Sequence, residues 1–320
     1  MAEVKCTSCA ATTTVDLKLT VPPPNKTVVH ALPKAEFLVI TWTEAESGAM
    51  ARVLGKGAYT FTTGAENNFT PLLYEGMAPP DGEQYHGFFF QTTVNGKTVV
   101  CLKSGFHPKV QTASTTIFFE KIIGSGATPN FKYALTTGTS GGIWATLDVG
   151  DVNVTNRARY GLTMPQEKQA LIFTGVADVM GSNPPAGHAN WYDYVTSEIF
   201  KNDACVNGGL AMAGGRLAAS GKPVIQYKAN GTSITDVVTN SRISDDECGK
   251  IRLYRTLGAT LDENDAYVAE AFKAVGFNNW ASIRNVSDIP CSPNKEQYDE
   301  YGFCSSINGA YAVWAFVMGH

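Results

Sequence analysis

The residues that could do chemistry are few and scattered along the chain. Thr137-Gly138-Thr139-Ser140-Gly141-Gly142 closes a predicted strand, and Gly150-Asp151-Val152 opens the next one only eight residues later. Glycine in such a turn lets the backbone approach a bound molecule closely and offers unhindered N–H donors. The same pattern also makes an ordinary tight turn, so its meaning rests on its neighbours. Cys6-Thr-Ser-Cys9 has the spacing of half a metal site, but zinc needs two further ligands at comparable spacing, and the five histidines are isolated. No metal and no cofactor is expected, and the two thiols read as part of a loose N-terminal arm. Seven cysteines, an odd number without framework spacing, fit a reducing compartment better than a disulfide scaffold.

Composition narrows the partners. Hydrophobic residues make up 44% and charged residues 17% of the 320 residues, enough apolar surface for a sizeable core. Net charge is −4 and no basic run or aromatic-basic stripe occurs, so nucleic acid is not an expected partner. No apolar run approaches the roughly 20 residues that span a bilayer, and the first 35 residues lack the charged start and apolar stretch of a signal peptide. A cytoplasmic protein without membrane contact is expected.

The elements that would position the chemistry alternate between strand and helix. Residues 1–34, with Val21-Pro22-Pro23-Pro24, form an arm with at most one short strand. Phe37-Leu38-Val39-Ile40-Thr41-Trp42 reads as a buried strand of a parallel sheet, followed by helical spacing from Glu44 towards Leu54. His86 to Thr93 and Lys97 to Leu102, separated by Val94-Asn95-Gly96, read as a hairpin. A helix is expected from Val110 to Ile123, strands at Pro129 to Leu135, Asp151 to Thr155 and Ala281 to Val286, and helices from Ala266 to Val275 and Lys295 to Phe316. This order predicts an α/β fold: one domain over 35–320, with a central twisted, mixed but mostly parallel sheet flanked by helices. The variable stretch is 180–239, with helical character near Tyr192 to Ala219.

Four islands, in order, resemble the nucleoside phosphorylase and nucleosidase superfamily, and in particular its 5′-methylthioadenosine/S-adenosylhomocysteine nucleosidase branch. Val39 to Glu46 is similar to the first strand and acidic turn of that branch, and Leu102-Lys103-Ser104-Gly105-Phe106-His107-Pro108-Lys109-Val110 to its Lys-Ser-Gly turn. The third island joins Thr137 to Gly142, Val149 to Val152 and Arg157-Ala158-Arg159-Tyr160; the fourth is Ile283-Arg284-Asn285-Val286-Ser287-Asp288. The phosphorylase branches bind phosphate with a Gly-Asp-Pro-x-Arg turn and with an arginine three residues before the hydroxyl residue of the Gly-rich turn. Here those places hold Thr43-Glu44-Ala45-Glu46 and Thr136. A dianion needs cationic or multiple N–H donors, so water is the expected nucleophile.

The resemblance implies roles residue by residue. Glu46 matches the carboxylate that positions and deprotonates the attacking water; the alternative is a helix N-terminal charge. Arg284 matches the arginine that holds this carboxylate, and Thr139 a hydroxyl that helps place the water. Asp288 matches the acid that protonates purine N7 as the bond to the sugar breaks, with Ser287 orienting it; the alternative is a helix N-cap. Asn264 stands where most of the family have the Glu that accepts from the ribose hydroxyls, and Asn can accept only through a neutral amide oxygen. Glu263 or Asp265 could take over. Gly138 and Ser104 complete the expected substrate-binding set, while His107 and Trp42 read as structural. The implied activity is hydrolysis of a purine-type nucleoside to base and sugar by a homo-oligomer. The alternatives are a phosphorylase using Ser104, Thr139 and Arg157 or Arg159, and a non-catalytic nucleoside-binding or storage protein.

Overall fold

The computed structural model describes residues 27–56, 68–107, 112–144, 147–162, 166–169, 172–179, 181, 183–203, 225–227, 237–239, 245–291 and 294–320. Cys6 and Cys9 lie outside them. In chain order the first elements are β1 (Ala35–Thr41), α1 (Glu44–Val53), β2 (Thr70–Leu72), β3 (Gly87–Val94), β4 (Lys97–Ser104), α2 (Thr112–Ile123), β5 (Gly124–Ser125), β6 (Thr128–Pro129) and β7 (Phe131–Gly142). Then come β8 (Val152–Thr155), β9 (Arg157–Tyr160), α3 (Gln166–Gln169), β10 (Ile172–Thr174), α4 (Trp191–Tyr194) with a π-helical turn Val195–Ile199, β11 (Ile225–Tyr227) and β12 (Val237–Thr239). A 3-10 helix Asp245–Lys250 leads into α5 (Ile251–Leu257), β13 (Thr260–Asp262), α6 (Asp265–Ala274), β14 (Trp280–Asp288) and α7 (Asn294–Gly319).

The main sheet has twelve strands. Its centre, β4–β1–β7–β14, is parallel throughout, and most residues of these strands are buried because both faces are covered. At the far end of β7 the sheet turns on itself. Gly142 and Gly141 pair antiparallel with Thr260 and Leu261, β13 pairs with β12, and β12 with β9. Because β8 runs into β9 across Asn156, and β8 pairs with β14, the path β7–β14–β8/β9–β12–β13–β7 closes. The segment Thr137 to Gly142, expected as a turn, is therefore strand. One twelve-residue strand must reach two sets of neighbours, and glycines at 141 and 142 let Pro290, Val286 and Ile289 pack where side chains would stand.

Helices cover both faces. On one side α1 packs on α7, whose residues 304–317 are all buried, as expected of a helix that is apolar all round. Its polar members bond locally or to the turn before β8: Ser305 and Ser306 donate to Gly302 O, and Asn308 to Gly150 O at 2.7 Å. On the other side α2 and α6 meet over Phe118, Phe119, Ile122 and Phe272. The predicted hairpin forms with Val94 paired to Lys97, its two turn residues Asn95 and Gly96 both at positive φ as a two-residue turn of the primed type demands. No helix among the described residues is long and apolar enough to cross a membrane.

The cysteine expectation is corrected. Cys248 and Cys291 form a disulfide with Cα atoms 5.6 Å apart, and Cys304 is disulfide-bonded as well. Cys101 is a buried free thiol whose pKa burial pushes up. Partners 43 residues apart in sequence leave no local spacing signal, and one buried thiol makes an odd count uninformative.

Candidate active site

The site begins at the step from β1 into α1. Thr43 caps the helix, accepting from Glu46 N at 3.3 Å, and the Glu46 carboxylate reaches back to accept from Thr43 N at 2.9 Å. This reciprocal capping box satisfies donors that a helix start otherwise leaves bare. It also turns Glu46 under the strand end, where Oε2 accepts from Trp42 N at 2.8 Å and Oε1 from Thr139 N at 2.8 Å and Thr139 Oγ1 at 2.9 Å. Glu46 is 2% exposed, and its four acceptor directions are filled. The approach to β7 requires glycine at 138, where a Cβ would sit 2.5 Å from Glu46 Cδ. Gly138 thus serves the site by leaving room for Glu46; it does not line the cavity.

Strand β14 brings the second half. It pairs with β7 so that Arg284 lies opposite Gly138 and Asp288 opposite Gly141, at the same end of the sheet as Thr139. Ser287 Oγ donates to Asp288 Oδ1 at 2.6 Å. Arg284, 1% exposed, departs from expectation. Its Nε donates to Asp265 Oδ2 at 2.9 Å, its Nη2 pairs with both Asp265 Oδ1 and, at 3.0 Å, Asp262 Oδ2, and its Nη1 donates to Thr139 O at 3.3 Å. No direct ion pair joins it to Glu46. Burial alone would lower the Arg284 pKa, but the Asp265 and Asp262 carboxylates outweigh it and hold the pKa above the usual value, with Glu46 adding a smaller effect at longer range. The reason is local: a buried guanidinium needs paired carboxylates, and the start of α6 supplies two. Sequence reasoning missed this pairing. The signal was present in Asp262 and Asp265, two carboxylates flanking the position where the expected Glu is absent.

Asp262 ends β13 and caps α6, accepting from Asn264 N at 2.8 Å and Asp265 N at 2.7 Å. That cap holds Asn264 at the cavity wall, 5% exposed, with its amide oxygen buried and without a partner. Glu263 and His107 face each other at 3.5 Å, both on the wall. His107, read from sequence as structural, therefore lines the cavity. Trp42 is both core and wall: its Nε1 donates to Phe106 O at 3.0 Å, and the Arg284 guanidinium lies 5.1 Å from its ring centre. Ser104, expected among the substrate-binding residues, lies apart from the cavity. Buried under the turn, it donates to Phe106 O at 2.9 Å and accepts from Phe106 N, and does not reach the cavity.

These groups enclose one cavity of about 330 Å³, lined also by Leu261, Pro290 and Tyr298. Four of its lining residues are carboxylates, Glu46, Asp262, Glu263 and Asp288, against Arg284 and His107. Among the described residues no cluster of side chains could hold a metal ion.

No protein-family model and no curated protein matches the chain. Solved structures do. A 5′-methylthioadenosine/S-adenosylhomocysteine nucleosidase from Colwellia psychrerythraea, in complex with adenine, is similar at 17% identity over 90% of this chain and 97% of its own, with a TM-score of 0.55. A putative nucleosidase of the same kind from Borrelia burgdorferi, bound to adenine, matches at 16% identity, 88% and 99% coverage and a TM-score of 0.54. Futalosine hydrolase of Helicobacter pylori, as a mutant, matches at 10% identity, 89% and 99% coverage and 0.53. At such identities the likeness concerns architecture: the chain has the mixed α/β fold of these nucleosidases.

Proposed function

We infer that the protein is a nucleoside N-ribohydrolase acting on a purine-type nucleoside. The carrying observation is that Glu46 with Thr139, and Asp288 with Ser287, border one cavity, Thr139 and Asp288 from neighbouring strands and Glu46 from the first turn of α1. N-glycosidic cleavage needs those two devices, an acid for the departing base and an acceptor for the water proton. The adenine bound to two structures of the same fold supports a purine.

In this reading Asp288, in its acid form, gives its proton to the base as the base takes the electron pair of the C–N bond. The sugar gains oxocarbenium character, and water adds to its anomeric carbon. Because Glu46 already accepts four hydrogen bonds, three of them from backbone N–H groups, the Thr139 hydroxyl is the donor that can turn. Water passes a proton to Thr139 Oγ1 as that hydroxyl's own proton moves to Glu46. Products are base and free sugar, and proton exchange with solvent restores both carboxyl groups. The unpartnered Asn264 oxygen offers an acceptor to a sugar hydroxyl, and Glu263 beside His107 a second polar contact.

Phosphorolysis is less well supported. A phosphate would meet four lining carboxylates, while Arg284 is occupied and Arg157 and Arg159 are not on the wall. Product analysis decides: free sugar with and without phosphate is expected, whereas phosphate-dependent release of a sugar 1-phosphate ends the hydrolase reading. Neither turnover nor binding across a broad nucleoside panel would leave the storage alternative. Bonded cysteines favour an oxidising compartment over the cytoplasm. A homo-oligomer with one nucleosidase-like domain from residue 35 remains the expected assembly.

A further inference from the structure

Asp288 is followed by Ile289-Pro290-Cys291, and three features hold this segment. Ile289 N donates to Gln297 Oε1 on α7 at 2.9 Å. Pro290 is buried, lines the cavity and lies on Gly141, where a Cβ would come within 2.7 Å of Pro290 Cγ. Cys291 is exposed and takes φ 69°, a left-handed conformation that a non-glycine residue keeps only when its surroundings hold it. What holds it on the outer side is the bond to Cys248. Cys248 packs against Ile143, Tyr254 and Leu261, and Leu261 is itself a cavity residue. The disulfide thus ties the segment just past Asp288 to the 3-10 helix Asp245–Lys250, and no step of the hydrolysis uses its sulfurs.

We propose that the Cys248–Cys291 disulfide positions the leaving-group end of the site, holding Pro290 on Gly141 and so fixing where Asp288 meets the departing base. Acid assistance then belongs to the oxidised protein. This rests on the nucleosidase reading. Reduction by a dithiol, which supplies two electrons and two protons and leaves two thiols, frees the segment. Strand β14 keeps its ladders to β7 and β8, so Thr139 and Glu46 stay in place. Catalysis by an acid displaced by about 1 Å falls by up to about 100-fold.

The test compares the oxidised protein, its bond verified by peptide mapping, with a C248S/C291S variant on two substrates. One is a purine nucleoside, which needs its base protonated; the other is nitrophenyl riboside, which does not. The expected result is a fall in kcat of about 10- to 100-fold on the purine nucleoside, with KM and nitrophenyl riboside turnover little changed. That is the same selectivity that Asp288→Asn should show. Calorimetric adenine binding checks that the variant is folded. Should it not fold, native wild type reduced with dithiothreitol until peptide mapping shows the partly exposed Cys248–Cys291 bond open and the buried Cys304 bond intact, then reoxidised, replaces it, and the selective loss should appear and reverse. Equal loss on both substrates, or no loss on either, overturns this inference alone; no turnover of either by the oxidised protein overturns the nucleosidase reading with it.

Discussion

Glu46 accepts from Trp42 N, Thr43 N, Thr139 N and Thr139 Oγ1, so both readings of this residue, helix cap and site carboxylate, describe one side chain. The cap fixes the carboxylate and the strand hydroxyl completes it. Thr139 is then the informative substitution. Thr139→Val keeps the shape and the backbone donor but removes the hydroxyl, and kcat should fall about 10²-fold or more with KM little changed, as for a lost proton-transfer group. Thr139→Ser should restore most of the rate. Comparing kcat and KM for the two variants checks this, and equal rates for Val and Ser would remove the relay. Asn264, Ser287 and Asp288, singled out from sequence, lie together on the wall of the cavity. The true partners of Arg284 were not, because ion pairs inside a core are chosen by which carboxylates the fold brings within reach, and Asp262 and Asp265 lie about 20 residues away in sequence.

At the scale of elements, the site depends on how closely α1 approaches β7. Gly138→Ala would place a methyl group against the buried Glu46 carboxylate, whose four bonds leave it nowhere to go. Destabilisation of about 1–3 kcal/mol is expected, together with loss of turnover, because Glu46 and Thr139 would be forced apart. Gly249→Ala, with open space around it, is the control and should change stability by less than about 0.5 kcal/mol. Thermal unfolding and steady-state rates on both variants test the pair. Most elements here follow from pattern: β1, the β3–β4 hairpin, α6 and α7 lie within a few residues of expectation, since apolar runs and the Asn95-Gly96 turn carry local signals. Strands β9, β10 and β13 did not, being only three or four residues long and stabilised by neighbours in the sheet rather than by their own sequence.

For the molecule as a whole, His86 sets a pH limit. It is fully buried, stacks on Phe118 and accepts from Tyr74 N at 3.1 Å through Nδ1, which demands the neutral ring. Burial lowers its pKa from 6.5, with smaller opposing effects from the carbonyls of Ala78 and Met77. The unfolded chain therefore binds a proton that the folded one refuses. Stability is unaffected by this group above about 6.5 and declines as pH falls from there towards the folded pKa. His86→Asn, which keeps an acceptor for Tyr74 N, should flatten the fall of Tm between about pH 5 and 7 relative to wild type; parallel curves would exclude His86 as the cause. The sequence by itself determined the α/β class, the end of the sheet at which the cavity lies and seven of the sixteen residues that line it, because periodicity and motif order are local properties. Only the tertiary structure decided the closure of β7 onto β13, the turning of Arg284 to Asp262 and Asp265, the placing of His107 and Tyr298 on the wall, and the Cys248–Cys291 bond. Each of these joins residues far apart in the chain, and such contacts are set by which surfaces packing brings together, a choice that no short stretch of sequence contains.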